Sequence, residues 1–305
     1  MTARRRAGLR LGLSGLALAA IAWAGLSALG ARRWAAATRV LTSRLEAGRI
    51  DAAALPAALS GAVQAGPAAR YDPRQLDGLP APVQRYFRSV LTPGQPLVAA
   101  ASIDMAGRFN RSTTGAQWQP FCSRQRVVTR RPGFVWDARM ALAPGLPVRV
   151  VDGYIAGEGL LHAALFGLFT VAEVRGAGEI ARGELMRYLA EAAWYPTALL
   201  PGQGVRWAEV DAASADATVA DGATALTLRF HFDAAGLIVS ARAEARGATV
   251  GGKTVMLPWE GRWSDYAWRA GMRVPMSGEA AWLPPEGRRP YFQGRVTSLA
   301  FEFAP

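Results

Sequence analysis

Glu184, Arg187 and Glu191 recur at i, i+3 and i+7 and so share one face of a helix. Two carboxylates on one face, with a histidine brought near by the fold, are the raw material of acid–base or metal chemistry. His162 is the candidate histidine, set in the apolar run Leu160–Phe169. A helix over 157–166 would place Glu158 one turn before it. Against this stands the ordinary alternative, in which Arg187 bridges both carboxylates in a row of i,i+3 and i,i+4 ion pairs. Glu184 and Glu191 are also about 10 Å apart along a helix axis, far for one metal ion without further ligands.

Other chemistries find little material. His231 falls on the polar side of an alternating strand, and Cys122 is the only cysteine. Two histidines and one cysteine make a zinc site improbable in composition, and no internal disulfide can form. The Glu158/His162 pair lacks the second histidine of a zinc-protease helix. Gly-x-Ser-x-Gly is absent, as are Gly-x-Gly-x-x-Gly and a Walker loop, so no catalytic residue set, metal or cofactor is assigned. Ten tryptophans are more suggestive. Trp136 and Trp194, with Tyr195, Trp118, Trp207, Trp259, Trp263, Trp268 and Trp282, lie in or beside expected strands and the helix. They either line an apolar pocket or fill a large core.

The elements that must position these residues are mostly strands. Twelve runs read as strands, the first over 97–109 and the last over 291–303. Leu226, Leu228, Phe230 and Phe232 alternate with polar residues, and Asp233-Ala234-Ala235-Gly236 reads as a hairpin turn. Connections this short require antiparallel pairing. Two helices punctuate the strands. One starts near Ala81-Pro82, with Val83, Tyr86, Phe87, Val90 and Leu91 in one apolar stripe; the other runs from Glu179 to about Trp194. The expected fold class is α+β: an N-terminal transmembrane helix, then a large curled antiparallel sheet, half-barrel-like, with a helix on its concave side.

The head is of a different kind. Residues 11–31 run without a charge, long enough to span a bilayer and longer than a signal-peptide core. The expected organisation is a basic segment over 1–10, a transmembrane helix over 11–31, a juxtamembrane stalk and linker over 32–78, and a β-rich domain over 79–305. The formal charge of +12 mostly belongs to this head: residues 1–49 carry +8 and the remainder only +4. That argues against a nucleic-acid partner. Four arginines precede the span and five follow it before residue 50. The clustered first four favour an inside N-terminus and a periplasmic or extracytoplasmic domain on a bacterial inner membrane.

The segments Gly157–Ala164, Arg182–Glu191 and Trp194-Tyr195-Pro196-Thr197, with the hairpin Trp263–Pro275, resemble an uncharacterised bacterial family of membrane-anchored proteins of unknown function. A more distant similarity is to the periplasmic lipoprotein-carrier fold, a curved half-barrel whose helices close its mouth. The carrier resemblance implies an apolar ligand cavity; neither resemblance implies a catalytic residue. The expectation is therefore a non-enzymatic envelope module that binds an apolar ligand or a lipidated partner near the membrane. Its candidate ligand-binding residues are Glu158, His162, Glu184, Arg187, Glu191, Trp194, Tyr195 and Trp136. The alternative is an acid–base hydrolase using Glu158, His162, Glu184 and Glu191.

Overall fold

The computed structural model describes residues 3–49, 70–112, 115–250 and 253–305, and their side chains except for 3–17, 19 and 249–250. Thirteen strands follow one another as an antiparallel meander. They are β1 (Val98–Asn110), β2 (Trp118–Val128), β3 (Gly133–Ala143), β4 (Leu146–Ile155), β5 (Glu158–Leu165) and β6 (Phe169–Gly176); then β7 (Arg206–Asp211), β8 (Ser214–Asp221), β9 (Thr224–Phe232), β10 (Ile238–Val250), β11 (Lys253–Arg269), β12 (Met272–Trp282) and β13 (Arg289–Phe303). Among the described residues, the only neighbouring strands distant in sequence are β1 and β13, which pair at the centre of the sheet. Two wings extend from that seam, one ending at β6 and the other at β7.

A sheet of this many twisted strands cannot stay open and flat, and it curls. The helix α3 (Glu179–Glu191) connects the two free edges and fills the concavity, touching β3 to β6 of one wing and β9 and β10 of the other. This explains a departure from the sequence pattern. A helix enclosed on several sides buries its polar face as well, so Glu184 is buried along with Leu185, Met186 and Leu189. The wings are also tied directly. Tyr154 on β4 donates its hydroxyl to Asp221 Oδ2 at the end of β8 (2.9 Å), and Arg131 Nε donates to Asp221 Oδ1 (2.7 Å).

The helix α2 (Ala81–Val90) closes one end of the curl. Pro82 occupies its first turn, and Tyr86, Phe87 and Val90 are fully buried against Phe232 and Trp207. Arg85 and Ser89 donate to the carbonyls of Ala212 and Ala235 in the turns beneath it. The expected linker contributes to the same core, since Tyr71 and Leu76 are buried there. Residues 50–69 of that linker lie outside the described residues.

The first helix, α1 (Ala3–Ala47), alters the expectation of a free stalk. Its second half lies on the convex face of β2, β3 and β4. Trp34 and Leu45 are buried there among Val128, Val135, Val151, Ile155 and Leu160, in an apolar cluster separate from the main core. Trp34 Nε1 donates to Asp137 Oδ1 (2.8 Å). Gly30 permits the approach: a Cβ at this position would stand 1.8 Å from the carbonyl oxygen of Phe166. Among the described residues no helix is long and apolar enough to cross a membrane. The side chains of 11–17 and of 19, within the expected span, lie outside the described residues. The other end of that span, from Trp23 to Gly30, touches the domain.

Candidate functional site

A cavity of about 1220 Å³ lies between α3 and the concave face of the sheet. This exceeds the roughly 300–1,000 Å³ usual for small-molecule pockets. Trp136, Trp194, Trp259, Trp263 and Trp282 line it, with Phe109, Tyr291 and Phe292. Side chains alternate across a strand, and the inward positions of β11 and β12 are Trp259, Gly261, Trp263, Gly278, Ala280 and Trp282. The glycines make room for the indoles: a Cβ at Gly278 would lie 2.8 Å from the Trp194 ring, and one at Gly261 would lie 2.7 Å from the Trp263 ring. Asn110, Arg111 and Ser112 at the end of β1, and Pro284, Pro285 and Glu286 after β12, form the rim. Antiparallel register puts this rim at the same end of the sheet as the β3–β4 turn, opposite α2.

Charged residues sit beneath the aromatic wall. Arg187 is enclosed by acceptors: Asp152 Oδ2 on β4 and Glu191 Oε1 on its own helix, each at 2.7 Å, and Gln125 Oε1 on β2 at 3.3 Å. Its guanidinium also lies over the rings of Phe134 (4.8 Å) and Trp136 (5.0 Å). Burial by itself would ease a proton off Arg187, but Glu191, Asp152 and Glu184 outweigh it and hold the charge firmly. Glu184 does not join this network by a hydrogen bond. It lies 3.6 Å from Arg246 Nη2 on β10. Burial first, and the Asp152 carboxylate second, push Glu184 up to about 8. Asp152 is likewise raised by burial, against the pull of Arg187 and Arg246. Near neutral pH the floor therefore favours a protonated carboxyl group at Glu184.

The expected site residues divide into two groups. Trp136, Glu184, Arg187, Glu191 and Trp194 line the cavity. Tyr195 does not; it is fully buried in the core, its hydroxyl donating to the Tyr188 carbonyl (2.8 Å). Glu158 and His162 are on the other side of the sheet. The segment 157–166 is not helical but forms β5, and its even-numbered positions face outward. Glu158 is half-exposed and pairs with Arg175 and Arg44, and these bonds lower its carboxyl below the usual range. His162 lies beneath α1, its ring 5.1 Å from that of Trp34 and its Nε2 3.1 Å from Thr170 Oγ1. The four-residue hydrolase cluster is therefore not assembled, because the thickness of the sheet separates His162 from Glu184 and Glu191. Among the described residues, no group of three or more His, Cys, Asp or Glu could hold a metal ion.

The chain belongs to a family of unknown function, DUF6920, whose model matches residues 77–301. The match takes in the whole sheet from β1 almost to the end of β13, and with it α2, α3 and the cavity. No curated protein matches the sequence. Among solved structures, the chain is similar to the LolA superfamily protein NE2245 from Nitrosomonas europaea, at 10% identity and a TM-score of 0.33, over 74% of this chain and 94% of that one. It is also similar to a beta-barrel-like protein of domain of unknown function DUF1849 from Brucella abortus, at 10% identity and a TM-score of 0.22, over 68% and 99% of the two chains. At these scores the similarity carries no function across.

Two charged residues of the site, Asp152 and Arg246, are not singled out as site residues by the sequence pattern alone. Asp152 stands between Val150 and Tyr154 at an inward position of β4, a polar residue in an apolar register, and that alternation was the available signal. Arg246 gave no such signal. Strict alternation from the inward Ala241 and Ala243 would turn it outward, but an irregularity in β10 between Ala243 and Arg246 resets the register and brings it in. A second depression, of about 800 Å³, opens on the convex face around Glu260. Glu260 is buried beneath Arg242, Arg262 and Arg288. Burial would raise its carboxyl, but the three arginines together hold it below the usual range.

Proposed function

We propose that this protein is a non-enzymatic, membrane-tethered module whose cavity holds the apolar part of an amphiphile or of a lipidated partner. The observation that carries this reading is the cavity between α3 and the sheet, about 1220 Å³ and walled by five indoles. Aromatic walls of this extent favour apolar groups through burial and ring contact, and a chain of methylenes gains about 0.8 kcal/mol per buried CH₂.

The tether lies within the uncharged run of residues 11–31, whose Trp23–Gly30 end is docked on the domain, and is anchored in a bacterial inner membrane with the domain on the extracytoplasmic side. Two features support a domain held close to the bilayer. Trp23 on α1 donates to the carbonyl of Gly145 in the β3–β4 turn (2.6 Å), so the sheet begins level with the apolar end of α1. Around that level, Leu142, Leu146, Phe169 and Val171 expose large apolar side chains, as do Leu18, Ile21 and Leu29 of the helix. The cavity rim is at this same end of the sheet, so an amphiphile leaving the bilayer meets the opening rather than the end closed by α2.

Native mass spectrometry of the full chain, extracted from membranes in mild detergent, tests the reading. A co-purified lipid or acylated species is the expected result. A chain that carries none, and takes up none from added phospholipid or fatty acid, would overturn it.

A further inference from the structure

The cavity holds more hydrogen-bond donors than the protein can satisfy. Arg246 is 9% exposed and makes no hydrogen bond among the described residues. Its Nη2 stands 3.6 Å from Glu184 Oε1, beyond hydrogen-bond reach, and its guanidinium lies over the rings of Trp259 (5.1 Å) and Trp282 (6.0 Å). The contrast with Arg187, which has three acceptors, is sharp. Three buried indole N–H groups of the same cavity, those of Trp136, Trp194 and Trp263, also lack an acceptor. Among the described residues lining the cavity, the unpaired carboxyl oxygens are Asp152 Oδ1 and Glu184 Oε2. Natural proteins rarely leave buried polar groups unserved unless a ligand or ordered water serves them.

We infer that Arg246 is the recognition point for the oxyanion head group of an amphiphile whose apolar part occupies the cavity. The inference rests on the ligand-binding reading above and deepens it. A planar guanidinium presents a fork of donors that matches a carboxylate or a phosphate, and stacking on two indoles fixes its plane in advance. Glu184 does not neutralise it: near neutral pH the carboxyl holds its proton, because burial and Asp152 push it up to about 8. A protonated Glu184 is a further donor beside the same guanidinium. Trp194, Trp259 and Trp263 are contiguous with Arg246 through the space left at Gly261 and Gly278. Cation, donors and apolar wall are thus one surface, suited to a head that is negative and rich in acceptors.

Doxyl-labelled stearate and its methyl ester test this, since they share tail and nitroxide quencher and differ only in head charge. Quenching of tryptophan fluorescence is measured on the full chain in detergent micelles, with partition corrected in empty micelles. The carboxylate is expected to bind at least about tenfold more tightly than the ester, the size of one charge-assisted hydrogen-bonded contact. In Arg246→Gln this preference is expected to vanish while ester binding is unchanged. Arg246→Lys keeps the charge without the fork and is expected to keep part of the preference, which covers a glutamine variant that fails to fold. Equal quenching by the two probes on the wild-type chain overturns the head-group inference and leaves the apolar cavity standing. If neither probe quenches, the ligand-binding reading fails, and this inference with it. A doxyl-labelled phosphatidic acid preferred over the matching diacylglycerol upholds the inference and assigns the head to a phosphate.

Discussion

Arg246 Nη2 lies 3.6 Å from Glu184 Oε1 inside the curl, and the carboxyl still keeps its proton up to a pH of about 8. This sets how stability depends on pH. The unfolded chain releases the Glu184 proton near 4.5 and the folded chain near 8. Between these values the folded state binds the extra proton, so rising pH favours unfolding. The contribution is complete below about 4.5, is lost progressively to about 8, and changes no further above that. Glu184→Gln removes the group from the titration. Its urea midpoint is expected to match the wild type near pH 4.5 and to exceed it at pH 8, by on the order of a few kcal/mol in unfolding free energy. A variant that loses as much stability as the wild type between those two pH values contradicts a buried, protonated Glu184.

Trp34 is the anchor of α1 on the sheet. It is buried in the convex-face cluster and hydrogen-bonded to Asp137, whose own carboxyl burial raises, against the opposing effect of that bond. Trp34→Ala removes both the ring and the donor, and is expected to cost about 3–5 kcal/mol of docking energy. Trp34→Phe keeps most of the apolar contact and is expected to cost about 1–3 kcal/mol, mainly from the lost donor to a buried carboxylate. Trypsin reports the difference, because Arg39 and Arg44 lie on the docked segment. Cleavage there is expected to be fast in Trp34→Ala, slower in Trp34→Phe and slowest in the wild type. Equal rates in all three would mean that α1 is held by something other than Trp34.

The sheet was readable from sequence because its strands alternate cleanly and its turns carry Gly, Asp and Pro. The helices α2 and α3 announced themselves through periodicity and proline. The strand β5 did not, since the run from Leu160 to Phe169 is apolar without a period that separates strand from helix. That ambiguity is why Glu158 and His162 were considered with the α3 carboxylates, although they face outward. The cavity was half-legible. Its tryptophans could be counted, but which of them face inward depends on sheet register, and Trp207 and Trp268 face elsewhere. Trp207 donates to the Leu199 carbonyl and Trp268 is exposed. Arg246 was hidden by an irregular pairing that no local pattern marks; Asp152 stands out within its strand, but its separation of 35 residues from the arginine it meets hides the pairing.

Tyr154 and Asp221 are 67 residues apart in sequence and close the curl from wing to wing. Burial, and then the Asp221 carboxylate, both raise the tyrosine hydroxyl above its usual range, so it acts as a donor throughout the working pH range. Tyr154→Phe leaves Asp221 with Arg131 but without this donor, and is expected to cost about 1–3 kcal/mol. Hydrogen exchange gives a sharper readout than global stability. The ends of β4 and β8 are expected to lose protection together, while α2 and its neighbours in β12 are unchanged. Loss of protection in only one wing would show that the two are not coupled through this contact.

The apolar tips of the β3–β4 and β5–β6 turns yield a prediction about membrane contact. If α1 enters the bilayer only as far as Trp23, that ring and its partner Gly145 fall at the membrane interface, where aromatic side chains are favoured. Leu142 and Phe169, 42% and 56% exposed, then dip into the headgroup region instead of facing water. An environment-sensitive fluorophore resolves this, and the single native thiol makes the labelling simple: Cys122→Ser supplies a background for Leu142→Cys or Phe169→Cys. In anionic vesicles, a label at either position is expected to emit at shorter wavelength than in detergent-free buffer with denaturant. It is also expected to be quenched by bromolipids labelled near the headgroup. A label at Arg85→Cys, on α2 at the closed end, is expected to show neither effect. Bromolipid quenching at Arg85→Cys with none at Leu142→Cys would reverse the orientation and turn the cavity rim away from the bilayer. An absence of quenching at all three positions would place the whole domain clear of the membrane surface, with α1 bridging the gap.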